Sequence, residues 1–548
     1  MRTMTKLSRR GLLAAAPALS QAQRLSLPEP HLKMATAPQR IFFQHDSANF
    51  EPPDMYGIEI GKWLRQRFGF MDEPGNQIDT YCLDISNEGI LPYASRILPR
   101  WQQPGLQKWW DQGIDFIERI VTGCHQRKIR CFWNHRMSEV ERGVGGFRIG
   151  GGVDLENWNP LKRAHPDWVI PTWWWQGHWN LAAPGLREFK LSVLEDLVRR
   201  YDLDGLQLDF ARHVPVLPPG SQWEHRDEAT QFVAMVRRML LRRGEERGRP
   251  FLLGVRVPQN LKGCRIDGFD VQQWVDRGLI DILALGSRSV DVDIASFRDL
   301  TRRSHVRLQP SLDDWHATDG YRNPPIEFFR GVFGNWWRQG AHSVATMNWA
   351  SASPEMSKEA GALASPVSHG EAIHEIGSLE TIKGSRFYVV ERRGGYPFAE
   401  GYFNRNDDAP LPAALANSGG AAIVRLPVWE DLRRWPRDLV LRVVFHQMGP
   451  GDAVEVAWNG APLVERRRDR DWRDGQIFSP EPQPVSGGHN FFRKAGKQEL
   501  TMVEYAVAPP GMRVGGNTAS LRVAKRGPFR PTETIRVEKI ELHVNEMA

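Results

Sequence analysis

From about residue 38 to 355 the chain alternates short apolar runs with amphipathic stretches, and no other feature constrains its fold as tightly. The runs are RIFFQHD (40–46), IDTYCLDIS (78–86), IRCFWNHRM (129–137), GLQLDFAR (205–212), FLLGVRVP (251–258), DILALGS (281–287), HVRLQPSLDD (305–314) and SVATMNWA (343–350). Short, near-continuous apolar runs are what strands buried on both faces look like. Between them, LREFKLSVLEDLVRRY (186–201) and ATQFVAMVRRMLLRRGEE (229–246) carry helical periodicity. Both end in basic residues, which the negative end of a helix dipole favours. Eight strands with helices between them predict a (β/α)8 TIM barrel over residues 38–365. An open doubly wound sheet is the alternative, but no GxGxxG follows the first run.

Past residue 365 the pattern changes. SRFYVVERR, LVLRVVFHQM, AVEVAWNG, LTMVEYAV, ASLRVAKR and IRVEKIELHV are short alternating segments separated by Gly and Pro, and helical periodicity nearly vanishes. This predicts a C-terminal all-β sandwich domain at 423–548, with 366–422 as a linker and small sheet extension. WNGAPLVERR reads as a strand–turn–strand hairpin.

The beginning of the chain has a different character. SRRGLLAAAPALSQAQ sets paired arginines before a short apolar run and small residues suited to cleavage near Ala22. Residues 1–22 are therefore expected to be a signal peptide of the twin-arginine type, sending the protein to the periplasm or outside the cell. No other segment approaches the roughly 20 apolar residues a membrane span needs. The formal charge of +7 is spread over 72 basic and 65 acidic residues without a basic run, so a nucleic-acid partner is not expected. Arg outnumbers Lys by about four to one, which suits bidentate contact with carboxylates. Four Cys without CxxC spacing form neither a disulfide framework nor a metal site; they read as buried thiols with room for one bridge. Cys82 and Cys131 fall in neighbouring predicted strands. No cofactor is expected.

In a barrel of this kind the catalytic groups stand at the C-terminal ends of the strands. Those ends supply His45 and Asp46, Asp84 and Glu88, then Asn134, His135, Arg136 and Glu139. The remaining ends supply Asp209, Arg212 and His213, Arg256, Ser287 and Arg288, Asp313 and Asp314, and Asn348 with Trp349. Carboxylates, arginines and Trp around one mouth suit hydrolysis of a glycosidic bond. That reaction needs an acid to protonate the leaving oxygen and a second carboxylate as nucleophile or base. The chain's 21 Trp, with Trp173, Trp174 and Trp175 consecutive, also provide flat faces on which sugar rings pack.

Asp209 on the fourth strand and Asp314 or Asp313 on the seventh are nearly opposite, so they can flank a bond. Arg212 and Arg256 can hold a carboxylate ionised, which makes Asp209 the expected ionised partner. A proton donor needs the opposite environment, and Glu139, Asp313 and Asp314 compete for that role. The predicted catalytic residues are Asp209, Asp314 and Glu139. Predicted to bind a carbohydrate substrate are Arg136, His135, Arg212, Arg256, Asp84, His45, Asp313, Trp349 and Trp175. A catalytically inactive carbohydrate-binding barrel is the alternative. A metal-dependent hydrolase using His45, Asp46 and Asp209 is a third reading, though the first strand lacks HxH spacing.

YDLDGLQLDFARH (201–213) resembles the fourth-strand signature of the bacterial family 10 glycosyl hydrolase-like proteins. FWNHRMSEVE is similar to their third-strand segment, and AHPDW and NLAAPGLREF to the segments before strand four. VRVPQNLKGCRIDGFDVQQWVDRGLIDILALGS is similar to their passage from strand five to strand six. The resemblance implies a glycoside-hydrolase-type barrel with a C-terminal β-sandwich. This chain departs from the pattern at Gln207, where an acid is common, and at Ser138-Glu139. The fourth-strand segment also resembles the α-amylase superfamily's DGFRxDxxxH, which implies Asp209 as nucleophile; here Gln207 replaces the Arg, and strand five ends in Arg256 without a Glu.

Overall fold

The computed structural model describes residues 24–46, 56–85, 89–138, 159–172, 176–286, 289–313, 320–321, 324–347, 366–392, 408–417, 419–433, 438–474, 477, 499–528 and 532–546. The expected signal peptide lies outside the described residues.

Eight parallel strands close into a barrel. They are β1 (Ile41–Asp46), β2 (Ile78–Asp84), β3 (Arg130–Arg136), β4 (Gly205–Asp209), β5 (Leu252–Val257), β6 (Ile282–Leu285), β7 (Arg307–Asp313) and β8 (Val344–Met347). Each neighbours the next in sequence, and β8 pairs with β1 to close the ring. Each strand falls within one apolar run of the sequence. Helices cover the outside, among them Phe116–Gln126, Pro184–Arg200, Arg226–Arg247 and Ile326–Gln339.

Side chains alternate along each strand, so the barrel wall has an inner and an outer set. In the lower half the inner set is apolar: Phe42, Cys82, Phe132, Leu252, Ile282 and Ala345 pack together with Ala35. Ala35 belongs to the helix Glu29–Thr36, which closes the bottom of the barrel. Its His31 is tied to the wall through Asp281, just ahead of β6. Asp281 Oδ1 contacts His31 Nε2 and His305 Nε2, each at 2.9 Å, while Oδ2 lies 2.7 Å from Arg237 Nη2 and accepts Leu253 N at 2.8 Å. Burial by itself would raise the pKa of that carboxyl, but Arg237 together with His305 and His31 outweighs it and holds the group well below its ordinary range.

Cys82 and Cys131 sit on adjacent strands but on opposite sides of the wall. Cys82 is in the inner cluster, and Cys131 faces the helices in the outer core. The register pairs Cys131 with Tyr81 and Cys82 with Phe132. All four cysteines are buried thiols.

Beyond the barrel lie two antiparallel sheets. One runs in the order Arg386–Val389, Arg536–Asn545, Asp438–His446, Leu500–Ala506, Glu465–Trp472. The other runs Ala422–Val428, Gly515–Lys525, Ala453–Trp458, Ala461–Pro462. Their inner faces share one core, with Leu441, Val443 and Ile540 from the first sheet and Leu426, Val456 and Leu521 from the second. This is a β-sandwich. The predicted hairpin turns on Asn459 and Gly460, at φ 49° and 88°, the left-handed pair that a two-residue type I′ turn requires.

The strand Arg386–Val389 joins barrel and sandwich. Phe387 and Val389 on one face belong to the barrel core, and Tyr388 with Val390 on the other belong to the sandwich core. Helix Ile326–Gln339 lies so close to this strand that a Cβ at Gly331 would stand 2.0 Å from the Phe387 carbonyl oxygen. Among the described residues no helix is long and apolar enough to cross a membrane.

Candidate functional site

At the upper, C-terminal ends of the strands the inner set turns polar and charged. β2 ends inward on Asp84, β3 on Asn134 and Arg136, β4 on Gln207 and Asp209, β5 on Arg256, β7 on Asp313, and β8 on Met347. The outer positions of the same strands are mostly apolar and pack against helices, so alternation delivers these charged groups to one mouth.

Three carboxylate–guanidinium pairs occupy that mouth. Arg136 Nη2 donates to Asp84 Oδ2 at 2.8 Å, Arg256 Nη1 to Asp209 Oδ2 at 2.9 Å, and Arg212 Nη1 to Asp313 Oδ2 at 3.0 Å. Side-chain exposure in all three pairs is between 0% and 4%, so each charge depends on its partner rather than on water. The expectation that Arg212 and Arg256 would both serve Asp209 holds for Arg256 alone. Arg212 follows β4 but reaches across the barrel to β7.

Two neutral side chains join the pairs into a network. Gln44 of β1 donates its amide to Asp84 Oδ2 at 2.6 Å, while its carbonyl oxygen accepts from Arg256 Nη2 and, at 3.2 Å, from Gln207 Nε2. The Met347 sulfur accepts from Arg256 Nη1 at 2.7 Å and from Arg212 Nη1 at 3.6 Å. Gln207 also donates to Asn134 Oδ1 at 2.9 Å, and Asn134 donates to Asp209 Oδ2 at 3.4 Å. The other Asp209 oxygen accepts the Ala211 amide at 3.2 Å. Gln207 is thus an amide connector within the layer beneath Asp209. Gln44 and Met347 were not picked out from the sequence. The signal for both was there: each shares strand parity with an inward residue, Phe42 and Ala345.

Strand parity also corrects two expected substrate contacts. His45 and His135 occupy outer positions on β1 and β3 and do not face the mouth. The His45 ring lies 5.9 Å from Tyr81 and 6.5 Å from Phe43, beneath the helix Ile60–Phe68. Burial, then the Arg67 charge, push its pKa well below the ordinary value, which leaves it neutral. His135 faces helix Pro184–Arg200 in a small cavity with Tyr93, Trp133 and Lys190, and burial, then Lys190, lower its pKa in the same way. The outward position of His45 also removes the metal reading built on His45, Asp46 and Asp209. Among the described residues no group of three or more His, Cys, Asp or Glu is arranged to hold a metal ion. Glu139, Asp314, Trp175 and Trp349 lie outside the described residues.

The chain is therefore a TIM-barrel protein, its charged residues gathered at the C-terminal mouth and a β-sandwich docked alongside. Residues 71–227, which carry β2, β3 and β4 with Asp84, Arg136, Asp209 and Arg212, match the family described as Glycosyl hydrolase-like 10. No curated protein matches the chain in sequence. Among solved structures, a cycloisomaltooligosaccharide glucanotransferase from Paenibacillus sp. is 9% identical with a TM-score of 0.34, covering 92% of this chain and 57% of its own. An α-L-fucosidase isoenzyme 2 from Paenibacillus thiaminolyticus is 11% identical with a TM-score of 0.38, covering 59% of this chain and 48% of its own. The PgaB glycoside hydrolase domain from Bordetella bronchiseptica is 9% identical with a TM-score of 0.40, covering 62% of this chain and 99% of its own. The chain spans about half the length of the first two.

Proposed function

We propose that this protein is an exported glycoside hydrolase that cleaves a polysaccharide or oligosaccharide at the barrel mouth, with Asp209 as the ionised carboxylate of the catalytic pair. The observation that carries this reading is the Asp209 environment. A carboxylate ends β4 inside the family-matched segment, and a buried guanidinium and two further donors converge on it. Those donors hold the carboxylate in one orientation, as a nucleophile or water-activating base requires. Asp313 is committed to Arg212, which opposes its protonation, so the proton donor falls to Glu139 or Asp314. Asp84, Arg136, Arg212, Arg256 and Asp313 form the polar floor, and Trp175 and Trp349 offer stacking faces for sugar rings. The sandwich at 423–548 is an accessory domain in this reading, and residues 1–22 direct export.

One observation favours the second reading, a carbohydrate-binding barrel without activity: Asp84, Asp209 and Asp313 are each paired with an arginine, so none of these three is placed to donate a proton. Reducing-end release across plant, algal and bacterial glycans, with wild type and Asp209→Asn side by side, separates the two. Release by wild type that is lost in a folded Asp209→Asn supports the hydrolase. No release by wild type, with a glycan that raises its Tm, selects the binding barrel.

A further inference from the structure

The loops that follow β4 and β5 meet on the C-terminal face of the barrel, the face that carries the mouth. They pack so closely that a Cβ at Gly268 would stand 2.3 Å from the Gln222 carbonyl oxygen, and the φ of 81° there favours glycine as well. Trp223, next to Gln222 and half-buried, stands at this junction. Two arginines share its indole. The guanidinium carbon of Arg265, from the short helix Leu261–Ile266, lies 4.3 Å from a Trp223 ring centroid. That of Arg226, the first residue of helix Arg226–Arg247, lies 5.2 Å away. Arg226 Nη1 also donates to the Trp223 carbonyl at 2.8 Å.

In the mouth itself Arg136, Arg212 and Arg256 are each neutralised by an aspartate. Arg226 and Arg265 differ: among the described residues neither forms an ion pair with a carboxylate, and Arg265 is exposed. An aromatic face holds a guanidinium through its π electrons and consumes none of its five N–H donors. Arg226 spends one donor on a carbonyl, and the rest stay available to a planar anion, which a guanidinium grips with two parallel hydrogen bonds. Held against one ring, both side chains have given up much of their freedom before a ligand arrives, so capture of an anion costs less entropy. We propose that Trp223, Arg226 and Arg265 form a rim subsite for an anionic substituent, carboxylate or sulfate, on the glycan held at the mouth. β4 and β5 carry Asp209 and Arg256 to the floor, and the loops after them carry the clamp that reads a neighbouring unit of the same chain. The substrate class is therefore an acidic polysaccharide. This rests on the glycan reading of the mouth and holds whether the mouth cleaves the chain or only binds it.

The test is isothermal titration calorimetry of the full chain with an oligogalacturonate, a chondroitin sulfate oligosaccharide and a neutral cello-oligosaccharide. Wild type should bind at least one acidic probe more tightly than the neutral one, and which acidic probe binds separates carboxylate from sulfate. Arg226→Gln combined with Arg265→Gln should weaken that binding by about tenfold or more, with Tm showing that the variant stays folded. Arg265→Lys keeps the charge without the planar fork and should lose part of the affinity. Arg470→Gln combined with Arg473→Gln removes the same charge from exposed positions at the edge of the sandwich and should leave binding unchanged. Equal weakening in that control means that net charge alone is at work and overturns the proposal. So does acidic-probe binding that survives the loss of Arg226 and Arg265. Binding of the neutral probe as tightly as the acidic ones, or alone, overturns the subsite and leaves the glycan mouth standing. Binding of no probe overturns both.

Discussion

Replacing Asp209 by Asn tests whether its pair with Arg256 is as dry as it is drawn. Both side chains are 0% exposed, and the carboxylate accepts from Arg256 at 2.9 Å, Asn134 at 3.4 Å and the Ala211 amide at 3.2 Å. Removing one charge of a buried pair costs about 3–5 kcal/mol, because the other is left uncompensated out of water. Asn keeps an oxygen that can accept from the Ala211 amide and from Arg256, so the loss belongs near the lower end, about 3 kcal/mol. Arg256→Met alone strands Asp209 and should cost at least as much. In the double variant neither charge is stranded. Residues in direct contact show coupling energies of about 0.5–3 kcal/mol, and here the upper part of that range is expected, with the double variant less destabilised than the sum of the singles. Urea unfolding of the four proteins, with the slope of free energy on urea unchanged, measures this directly. Additivity within about 0.5 kcal/mol would show that water reaches the pair and would refute the reasoning. Activity should not return in the double variant, which separates the stabilising part of the pair from its chemical part.

Two other perturbations have expected signs. Gly331→Ala should destabilise the protein by about 1–3 kcal/mol, although Ala ordinarily strengthens a helix over Gly. The new Cβ would stand 2.0 Å from the Phe387 carbonyl and push helix Ile326–Gln339 off the shared strand; an unchanged or raised Tm contradicts the contact. Burial pushes the Glu391 carboxyl from about 4.5 up to about 8 at the seam between barrel and sandwich, where it accepts the Ser289 hydroxyl at 2.6 Å. A raised folded pKa means the folded state holds a proton that the unfolded chain has released. Glu391 therefore makes stability fall as pH rises from about 4.5 to about 8, and Glu391→Gln should flatten that fall. Parallel Tm–pH curves for the two proteins would contradict this.

Much of the site was legible because it follows from strand parity and strand ends. Asp84, Arg136, Asp209, Arg256 and Asp313 end the apolar runs, and a barrel places such ends at one mouth. The same rule, applied strictly, excludes His45 and His135, which alternate to the outer face and become neutral under helices. Pairings were not legible. A guanidinium on a long side chain can reach any carboxylate across the mouth, and Arg212 passes over the neighbouring Asp209 to find Asp313, 101 residues away. Glu391 gave no local sign either, since its burial comes from the sandwich closing on the loop after β6, 102 residues earlier in the chain.

The sequence by itself determined the barrel, the sandwich and which charged residues end the barrel strands, because side-chain periodicity and turn residues act over a few positions and need no distant partner. Only the tertiary structure decided which charges neutralise each other, which core each cysteine joins and how the strand Arg386–Val389 serves two cores. Those outcomes depend on which surfaces meet when helices and sheets close together. Burial then turns a short contact into either a stabilising pair or a stranded charge, and no local stretch of the chain encodes that choice.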